Sequence, residues 1–423
     1  MSRSPDSFYG WHIVLAAFTA QFVSTFCTLA AIGPFMTVLE VEFDTNAATL
    51  SGAVGGSILL MGLVGPILGR AIDLGNQRAI MLTGVVVMAI GLYLSSLAKE
   101  LWQLGLAFCV IANLGYVMCG PMPSMTLVSR WFVRRRGLAV ALAVAGATFA
   151  SAISPLLGAW LIDQESVGWR GTLVYYSIGT CVIALPIFWF MLVKTPEELG
   201  QRPDGDAAPI DEPEPDGGSY TARDLFRDRN FLVVSLGMAL LFTAPIVCTV
   251  HLIPYAEKVL SIERQSAAFV FTILAACSLI GKLVFGLVVD RIHPRHALWI
   301  AVALLTAGWA TLLGTPSYTM LLGVGALMGL GVGALGPLHA VVVGACFGRA
   351  GFGQVMGMGG LVSLPLIAGA TPVVGWLSVT AGYRTAFGVE VACLLAAGAL
   401  FTLLKLPGED VAIENADVAA KPA

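Results

Sequence analysis

Long apolar runs alternate with short polar turns along almost the whole chain. A helix that crosses the hydrocarbon core of a bilayer needs roughly 20 apolar residues, and runs of that length recur from residue 11 to residue 405. The pattern therefore predicts twelve membrane-spanning helices, at about 11–39, 50–69, 79–98, 102–128, 137–162, 169–193, 231–256, 266–289, 296–314, 318–346, 354–379 and 384–405.

The polar turn after the second run returns after the eighth, 217 residues later. Its glycine, acid and arginine keep the same spacing: Gly69, Asp73 and Arg78, then Gly286, Asp290 and Arg295. Further pairs recur at similar offsets: Gly120 and Gly336, Pro155 and Pro372, Gly168 and Gly382. Such a repeat predicts a tandem duplication. We expect an all-α integral membrane protein whose twelve transmembrane helices form two pseudo-symmetric six-helix bundles.

The expected domains follow from these bundles. The first occupies 1–193 and the second 231–405. Between them, 194–230 is rich in proline and acid, which favours a flexible cytoplasmic linker. Thr221 and Asp224 suit the start of a short amphipathic helix that ends near Arg229. Residues 406–423 are expected to be a disordered cytoplasmic tail.

Composition excludes a water-soluble class of protein. The chain is 57% hydrophobic and only 12% charged, with a mean hydropathy of +0.85. A soluble chain of 423 residues with so few polar groups would leave its surface apolar. Membrane lipid is therefore the expected surrounding, and no nucleic-acid partner is expected.

The distribution of basic residues predicts the orientation. Most of the 23 Lys and Arg residues fall on the side of both termini and the linker. The positive-inside rule places that side in the cytoplasm. We expect a multi-pass protein of the cell (inner) membrane, a monomer, with a retained first span rather than a signal peptide. The basic residues predicted on the other side are Lys99, Arg170, Lys258, Arg264 and Arg384.

Motifs of catalysis and cofactor binding are absent from the sequence. The eight cysteines all fall in predicted spans without paired spacing, so we interpret them as packing residues rather than disulfide or metal ligands. There is no Walker motif for ATP and no His-Glu-x-x-His or pair of acids within a span. We expect no metal, no cofactor and no enzymatic activity.

Lys282 is the one Lys or Arg inside an apolar run. Placing a Lys at mid-membrane costs roughly 2.5 to 3.5 kcal/mol on insertion scales, and its run contains no acid to neutralise it. Two interpretations are open. The side chain extends to the cytoplasmic surface, or it faces a water-filled cleft and attracts an organic anion. We hypothesise the second.

Other polar residues within the spans are candidates for substrate and proton. Gln21 would bind substrate or bond a neighbouring helix. His251, His339 and Glu390 are candidates for proton coupling, since an imidazole changes charge near neutral pH; Glu390 is expected near the outer rim. A packed hydrogen-bond donor is the alternative for each histidine. The full set of expected substrate-binding residues is Lys282, Gln21, Asn113, Tyr116 and Ser278.

Charged residues at the cytoplasmic turns are candidates for a gate. One arrangement has Arg130 meet Asp73 when that side is shut, while the alternative is a basic anchor that only fixes topology. Asp73 and Arg78 are expected to pair with each other or with helix ends. The expected gating residues are Asp73, Arg78, Arg130, Asp290, Arg291 and Arg295.

These motifs resemble those of the major facilitator superfamily over about residues 8–405. The resemblance is carried by the two charged turns, by Arg130-Trp131-Phe132 with Arg135-Arg136-Gly137, and by the Gly-aromatic-Arg corners at Gly168 and Gly382. Tyr9-Gly10-Trp11, the stretch 195–205 and the short helix before Asn230 are similar to the bacterial monocarboxylate porter and oxalate/formate antiporter branch.

The resemblance implies roles for two residues of the eighth span. In that family a cationic residue four positions before the glycine of the turn binds the substrate carboxylate, and here it is Lys282 rather than the more usual Arg. Animal relatives have an Asp one helical turn earlier, where this chain has Ser278. The first turn also departs from the family pattern, because Leu74 and Gly75 follow Asp73 where a basic residue is usual.

Together these features predict a secondary active transporter of small organic anions, with monocarboxylates as the favoured substrate class. It would work by alternating access, with proton symport or anion exchange. The alternatives are a transporter-like solute sensor and an exporter of another small molecule. Cationic drug efflux is disfavoured because the buried charge is positive.

Overall fold

The computed structural model describes residues 8–74, 76–132, 135–205, 222–288, 293–347 and 352–405, and these are almost entirely helical. The helices are α1 (Gly10–Cys27), α2 (Ile32–Glu42), α3 (Ala47–Leu74), α4 (Gln77–Ser96), α5 (Leu101–Leu104), α6 (Asn113–Cys119), α7 (Pro121–Trp131), α8 (Arg136–Ile162), α9 (Gly168–Met191), α10 (Ala222–Arg227), α11 (Arg229–Lys258), α12 (Arg264–Val288), α13 (Pro294–Thr311), α14 (Tyr318–Phe347), α15 (Phe352–Thr380) and α16 (Gly382–Thr402).

These helices make up the twelve spans. The first span is α1 and α2, the fourth comprises α5 to α7, α10 is a short helix between the halves, and every other span is one helix. In the part of the chain that is described, eleven spans are long and apolar enough to cross a membrane. The remaining span, α13, has 18 residues, and its first turn carries Pro294, Arg295 and His296. The protein is a multi-pass membrane protein.

The first and fourth spans are broken for different local reasons. In the first, a tight 3-10 turn at Leu29–Ala31 separates α1 from α2. Pro34 lacks the N–H that would bond the carbonyl of Ala30, so the regular ladder is interrupted there. In the fourth, the wider π-helical segment Gly105–Ala112 precedes α6, and Gly120 separates α6 from α7, which begins at Pro121. Each break thus lies at or next to a glycine-proline pair, Gly33-Pro34 at the start of α2 and Gly120-Pro121 at the start of α7.

The second half does not repeat the break in the fourth span. Gly336-Pro337 occupies the matching place, yet α14 runs unbroken from Tyr318 to Phe347 with Pro337 inside it. The duplication is close in helix order but not in helix shape.

Helix packing confirms two bundles built on one plan. In the first half α1 packs on α8, and α4 packs on α6 and α9; in the second half α11 packs on α15, and α13 packs on α14 and α16. The halves meet where α3 packs on α15 and α8 packs on α12, with a smaller contact between α2 and α11. We call these three contacts together the seam.

The corner before the sixth span of each half has the same backbone geometry. Gly168 has a φ of +58° and Gly382 a φ of +81°. Only glycine adopts this left-handed region at low cost, which explains why both copies of the Gly-aromatic-Arg corner keep it. The duplication therefore extends from sequence to backbone conformation.

The first part of the linker, residues 194–205, packs against the first half. The side-chain carbonyl of Gln201 accepts a hydrogen bond from the Tyr9 backbone N–H at 3.0 Å, and the Asp204 carboxylate accepts one from the Arg135 backbone N–H at 3.2 Å. The expected flexible linker is thus ordered up to residue 205. Thr221, the proposed helix cap, and the tail 406–423 lie outside the described residues.

The short helix before the second half is present as α10, and Asp228 ends it. The Asp228 carboxylate then caps the next helix by accepting a hydrogen bond from the Phe231 N–H at 2.8 Å. We name the end of the bundle where α3 leads into α4 the inner end, and the opposite one the outer end. These names match the orientation expected from the basic residues.

Candidate functional site

Lys282 lies on the seam between the halves. It is half-buried in α12, and its Nζ donates a hydrogen bond to Thr148 Oγ1 of α8 at 2.7 Å. Thr148 belongs to the first half and Lys282 to the second, so the amine bridges the two bundles. Thr148 was not among the residues expected from the sequence, since a lone threonine in an apolar run carries no distinguishing signal.

Close packing within the second half fixes the backbone at Lys282. A Cβ atom at Gly333 of α14 would lie 2.3 Å from the Ser278 carbonyl oxygen and 2.8 Å from the Lys282 nitrogen. At Gly329 it would lie 2.3 Å from the Leu274 carbonyl oxygen. Because only hydrogen fits at these places, α12 and α14 approach backbone to backbone. This contact sets the position from which the Lys282 side chain extends.

Ser278 lies one helical turn before Lys282, on the same side of α12. Its side chain is buried, with 5% of the residue exposed. A serine there supplies a neutral hydroxyl, so the described part of the eighth span contains no acid next to the amine.

The three candidates from the first half are buried, but none bonds Lys282 within the described structure. Asn113 Nδ2 donates to the Phe108 carbonyl at 2.9 Å, at the end of the π-helical segment. Tyr116 packs with Leu68 in an apolar cluster. Gln21 is 2% exposed in α1. The Asn113 amide thus satisfies its own helix, and a role in substrate binding remains a prediction for all three.

His251 lies where three helices of the seam meet. The side chain is fully buried in α11, and its Nε2 is 3.2 Å from Ser51 Oγ of α3. The same nitrogen is 3.3 Å from the Thr371 carbonyl oxygen of α15. This histidine therefore contacts the first half directly.

Glu390 is buried inside the second half. Its Oε1 accepts a hydrogen bond from Thr243 Oγ1 at 2.7 Å, between α16 and α11. We expected this acid near the outer rim, and that placement is wrong: it is eight residues beyond Gly382 in a helix of 21 residues, close to the middle of the span. The hydrogen bond from Thr243 offsets part of the cost of removing this carboxyl group from water.

His339 lies in α14 beside an aromatic ring of the same half. The ring centroids of His339 and Phe242 are 6.0 Å apart. Among the three proton candidates, His251 makes a hydrogen-bonding contact across the seam, whereas Glu390 bonds a residue of its own half. Proton coupling by any of them remains a prediction.

Ion pairs join the two halves at the outer end. Lys258 of the second half pairs with Glu40 of the first. Arg264 pairs with Asp163 of the first half at 2.5 Å and with Glu257 of its own half at 2.7 Å. We call Glu40, Asp163, Glu257, Lys258 and Arg264 the outer cluster.

A neutral hydrogen-bond donor, Thr37, adds a further contact to the outer cluster. Thr37 Oγ1 donates to Glu257 Oε2 at 2.6 Å, again from the first half to the second. The arrangement was not expected from the sequence because the partners are about 100 to 220 residues apart in the chain. The sequence feature that could have indicated it is the opposite charge of Glu40 and Lys258, at the outer ends of the first and seventh spans. These contacts bridge the two halves at the outer end of the seam.

At the inner end, three of the expected gating residues bond within their own halves. Arg78 donates to the Trp189 carbonyl, Arg295 donates to the Leu404 carbonyl, and Arg130 Nη1 donates to Gln77 Oε1 at 3.0 Å. For Arg78 this is the expected pairing with a helix end. Asp290 and Arg291 lie outside the described residues, as does the side chain of Asp73, so a gate formed by them remains a prediction.

The cysteines are all among the described residues, and each of the eight is a free thiol. This agrees with the packing role expected for them. They belong to helices of both bundles.

Known proteins match both the sequence and the fold. A monocarboxylate transporter 13 from Bos taurus is 28% identical over 422 residues, covering 95% of this chain and 91% of that protein. A monocarboxylate transporter 4 from Gallus gallus is 26% identical, covering 96% and 86%. The crystal structure of a bacterial homolog of the human lysosomal transporter Spinster, inward-facing and unoccupied, has a TM-score of 0.75 at 18% identity, covering 95% and 98%.

The match to a family model follows the internal duplication. The model of the Major Facilitator Superfamily matches residues 14–262 and again residues 247–422. Its members are transporters and not enzymes, which confirms those two expectations. From its helix order, its duplicated halves and these matches, the chain belongs to the Major Facilitator Superfamily.

Proposed function

We propose that this transporter carries small organic anions, specifically monocarboxylates, and that Lys282 binds their carboxylate. The observation that carries the proposal is the placement of the Lys282 amine on the seam, 2.7 Å from the neutral hydroxyl of Thr148. A hydroxyl satisfies one N–H but cancels no charge. The ammonium therefore retains its preference for an anion, and a carboxylate that enters between the halves supplies one.

The relatives support the choice of substrate class. Two proteins that match almost the whole chain are named as monocarboxylate transporters. A Lys presents a compact charge with three donors and lacks the bidentate fork of Arg. We propose that Lys282 holds one carboxylate oxygen while Ser278 or another polar group of the cleft bonds the second.

Movement of the two halves about the seam supplies alternating access. Closure at the outer end by the outer cluster is compatible with a state that loads or releases substrate on the inner side. We propose proton symport or anion exchange, with His251, His339 and Glu390 as the candidate proton sites. We also propose a location in the cell inner membrane, a monomeric state, and both termini in the cytoplasm.

Flux into proteoliposomes tests the proposal. The purified protein would be reconstituted and offered a panel of mono- and dicarboxylates, with and without a pH gradient. We expect uptake of monocarboxylates, loss of at least about tenfold in kcat/KM for Lys282→Ala, equivalent to about 1.4 kcal/mol, and partial retention for Lys282→Arg. Lys99→Ala is the matched control, because Lys99 is exposed and distant in sequence.

Two results would contradict the proposal. If Lys282→Ala transported every carboxylate like the parent protein while Lys99→Ala did the same, Lys282 would not be the anion site. If the parent protein bound carboxylates without moving them, the molecule would be a solute sensor. Thr148→Val and Thr148→Ser refine the first test, since only the serine variant retains the hydroxyl that holds the amine.

A further inference from the structure

His251 has hydrogen-bond partners from both halves. Nε2 is 3.2 Å from Ser51 Oγ and 3.3 Å from the Thr371 carbonyl oxygen, and Thr371 Oγ1 donates to the Ser51 carbonyl at 3.3 Å. Ser51 belongs to the first half, whereas His251 and Thr371 belong to the second. Three hydrogen-bonding contacts thus converge on one buried point of the seam.

Close helix packing keeps this point dry. A Cβ at Gly375 of α15 would lie 2.7 Å from Ser51 Oγ, and one at Gly55 of α3 would lie 2.4 Å from the Ala368 carbonyl oxygen. His251 itself is 0% exposed. Water cannot reach the imidazole while α3 and α15 remain in contact.

The bonding pattern selects one form of the imidazole. The Thr371 carbonyl only accepts, so Nε2 must carry the hydrogen, and Nδ1 is then the unprotonated nitrogen of a neutral ring. Nδ1 is buried and has no hydrogen-bond partner among the described residues. Adding a proton there would create a buried charge with an unsatisfied N–H, which the closed seam disfavours.

The surroundings offer no counter-charge in direct contact within the described part of the chain. The Tyr383 ring of α16 has its centroid 6.2 Å from that of His251, and Tyr255 lies one turn further along α11, where its hydroxyl donates to the Leu312 carbonyl at 3.1 Å. On α11 itself, Glu257 and Lys258 lie two turns further out, and Glu40 of α2 is paired with Lys258. The facing part of α3 and the whole described length of α15 contain no titratable residue.

We infer that His251 is the proton-binding residue, and that its protonation opens the outer end of the seam. The inference rests on the proposed proton-coupled carriage. Neutral His251 joins Ser51 and Thr371 and favours the outer-closed state. A proton on Nδ1 favours the state in which α3 and α15 separate and water solvates the imidazolium. External acid thereby favours the outer-open state. Before the seam closes around the neutral ring, Nδ1 releases its proton to the water-filled cleft that holds the carboxylate.

The outer cluster lies on the same moving parts. His251 and Lys258 are seven residues apart on α11, which is roughly two helical turns or about 10 Å. A displacement of α11 away from the first half would break the Ser51 contact and the Lys258 to Glu40 ion pair together. Protonation of His251 therefore affects the contacts between the halves from Ser51 out to the Lys258–Glu40 ion pair.

Hydrogen–deuterium exchange on the full reconstituted chain tests the inference. The amides of 41–46 and 257–263 would be followed at about pH 5.5 and about pH 8, with rates corrected for intrinsic exchange. We expect exchange at the outer end to be faster at the lower pH, by on the order of tenfold. In His251→Gln the amide side chain keeps a donor at the Nε2 position but cannot be protonated, so this pH response should vanish. His296→Gln, at an exposed histidine of α13 to which no role is assigned, is the control and should retain it.

A second variant covers the case in which His251→Gln does not fold. Ser51→Ala removes one partner of the neutral form and should shift opening to higher pH while leaving the response in place. A normal pH response in His251→Gln, or an unchanged midpoint in Ser51→Ala, would overturn the inference. Carboxylate counterflow at equal pH on both sides separates this result from the proposed function, because counterflow in the parent protein requires carboxylate carriage but no net proton movement.

Discussion

Arg78 and Arg295, which are 217 residues apart, make the same contact in the two halves. Each is the second residue of its helix, and each guanidinium donates to a main-chain carbonyl at the end of the last span of its own half: Trp189 for Arg78 and Leu404 for Arg295. A cation at the C-terminal end of a helix also interacts favourably with the helix dipole. Both arginines therefore fasten the third span of a half to its sixth.

This relationship predicts independent losses of stability. Arg78→Gln and Arg295→Gln should each lower the free energy of unfolding by about 1 kcal/mol, and the double variant by close to the sum, since the sites share no partner. Thermal unfolding in detergent measures this. A double variant no less stable than either single one would show that the two contacts are not independent.

The glycine contact behind Lys282 predicts a functional effect without any change of charge. Gly333→Ala should reduce both thermal stability and carboxylate flux, because its methyl group would meet the Ser278 carbonyl and the Lys282 nitrogen and push α12 away. We expect a cost of about 1 to 3 kcal/mol in stability. Gly323→Ala is the matched control on the same helix, since nothing lies within 4 Å of a Cβ there. Equal behaviour of the two variants would contradict the packing argument.

The outer cluster predicts a charge-swap rescue. Glu40→Lys should destabilise the outer-closed state, and Glu40→Lys with Lys258→Glu should restore it, as judged by amide exchange at 41–46. Lys258 is 40% exposed and Glu40 10%, so screening limits the pair to about 1 kcal/mol, or roughly a fivefold change in the open population. The control is the pair Arg170 and Glu42, which lies within the first half at 2.8 Å. Reversing that pair should leave outer opening unchanged.

The Thr243 to Glu390 bond predicts opposite outcomes for its two partners. Thr243→Val leaves the buried carboxyl without its donor and should cost about 1 to 3 kcal/mol in stability. Glu390→Gln retains an oxygen that accepts the bond, so its stability should stay close to that of the parent protein. Chemical unfolding curves compare the two. If Glu390→Gln also abolished the pH dependence of uptake, Glu390 rather than His251 would be the proton site.

Features that depend on long stretches of chain were predictable from the sequence. Twelve apolar runs and one repeated polar turn were enough to predict the two bundles. The bilayer dictates the length and hydropathy of each spanning helix, and both can be read from a local stretch of sequence. Lys282 was identifiable for the same reason: one cation in an apolar run is costly wherever the helix lies.

Partners across the seam were not predictable in this way. Ser51 and Thr148 are ordinary residues of apolar runs, and only the packing of α3 on α15 and α8 on α12 gives them a role. The hydrogen bond from the Asn113 side chain to the Phe108 carbonyl depends on a π-helical segment, which composition does not reveal. The depth of Glu390 depended on where α16 begins, which sequence fixes only to within a few residues.

The histidine, lysine and glutamate side chains deep in the spans, His251, Lys282, His339 and Glu390, all belong to the second bundle, while the first contributes the hydroxyls of Ser51 and Thr148. In the mechanism proposed above, the second half therefore supplies the charged groups and the first half supplies their neutral partners. A hybrid carrier assembled from the halves of two relatives should therefore inherit its anion selectivity and its acid response from the donor of the C-terminal half.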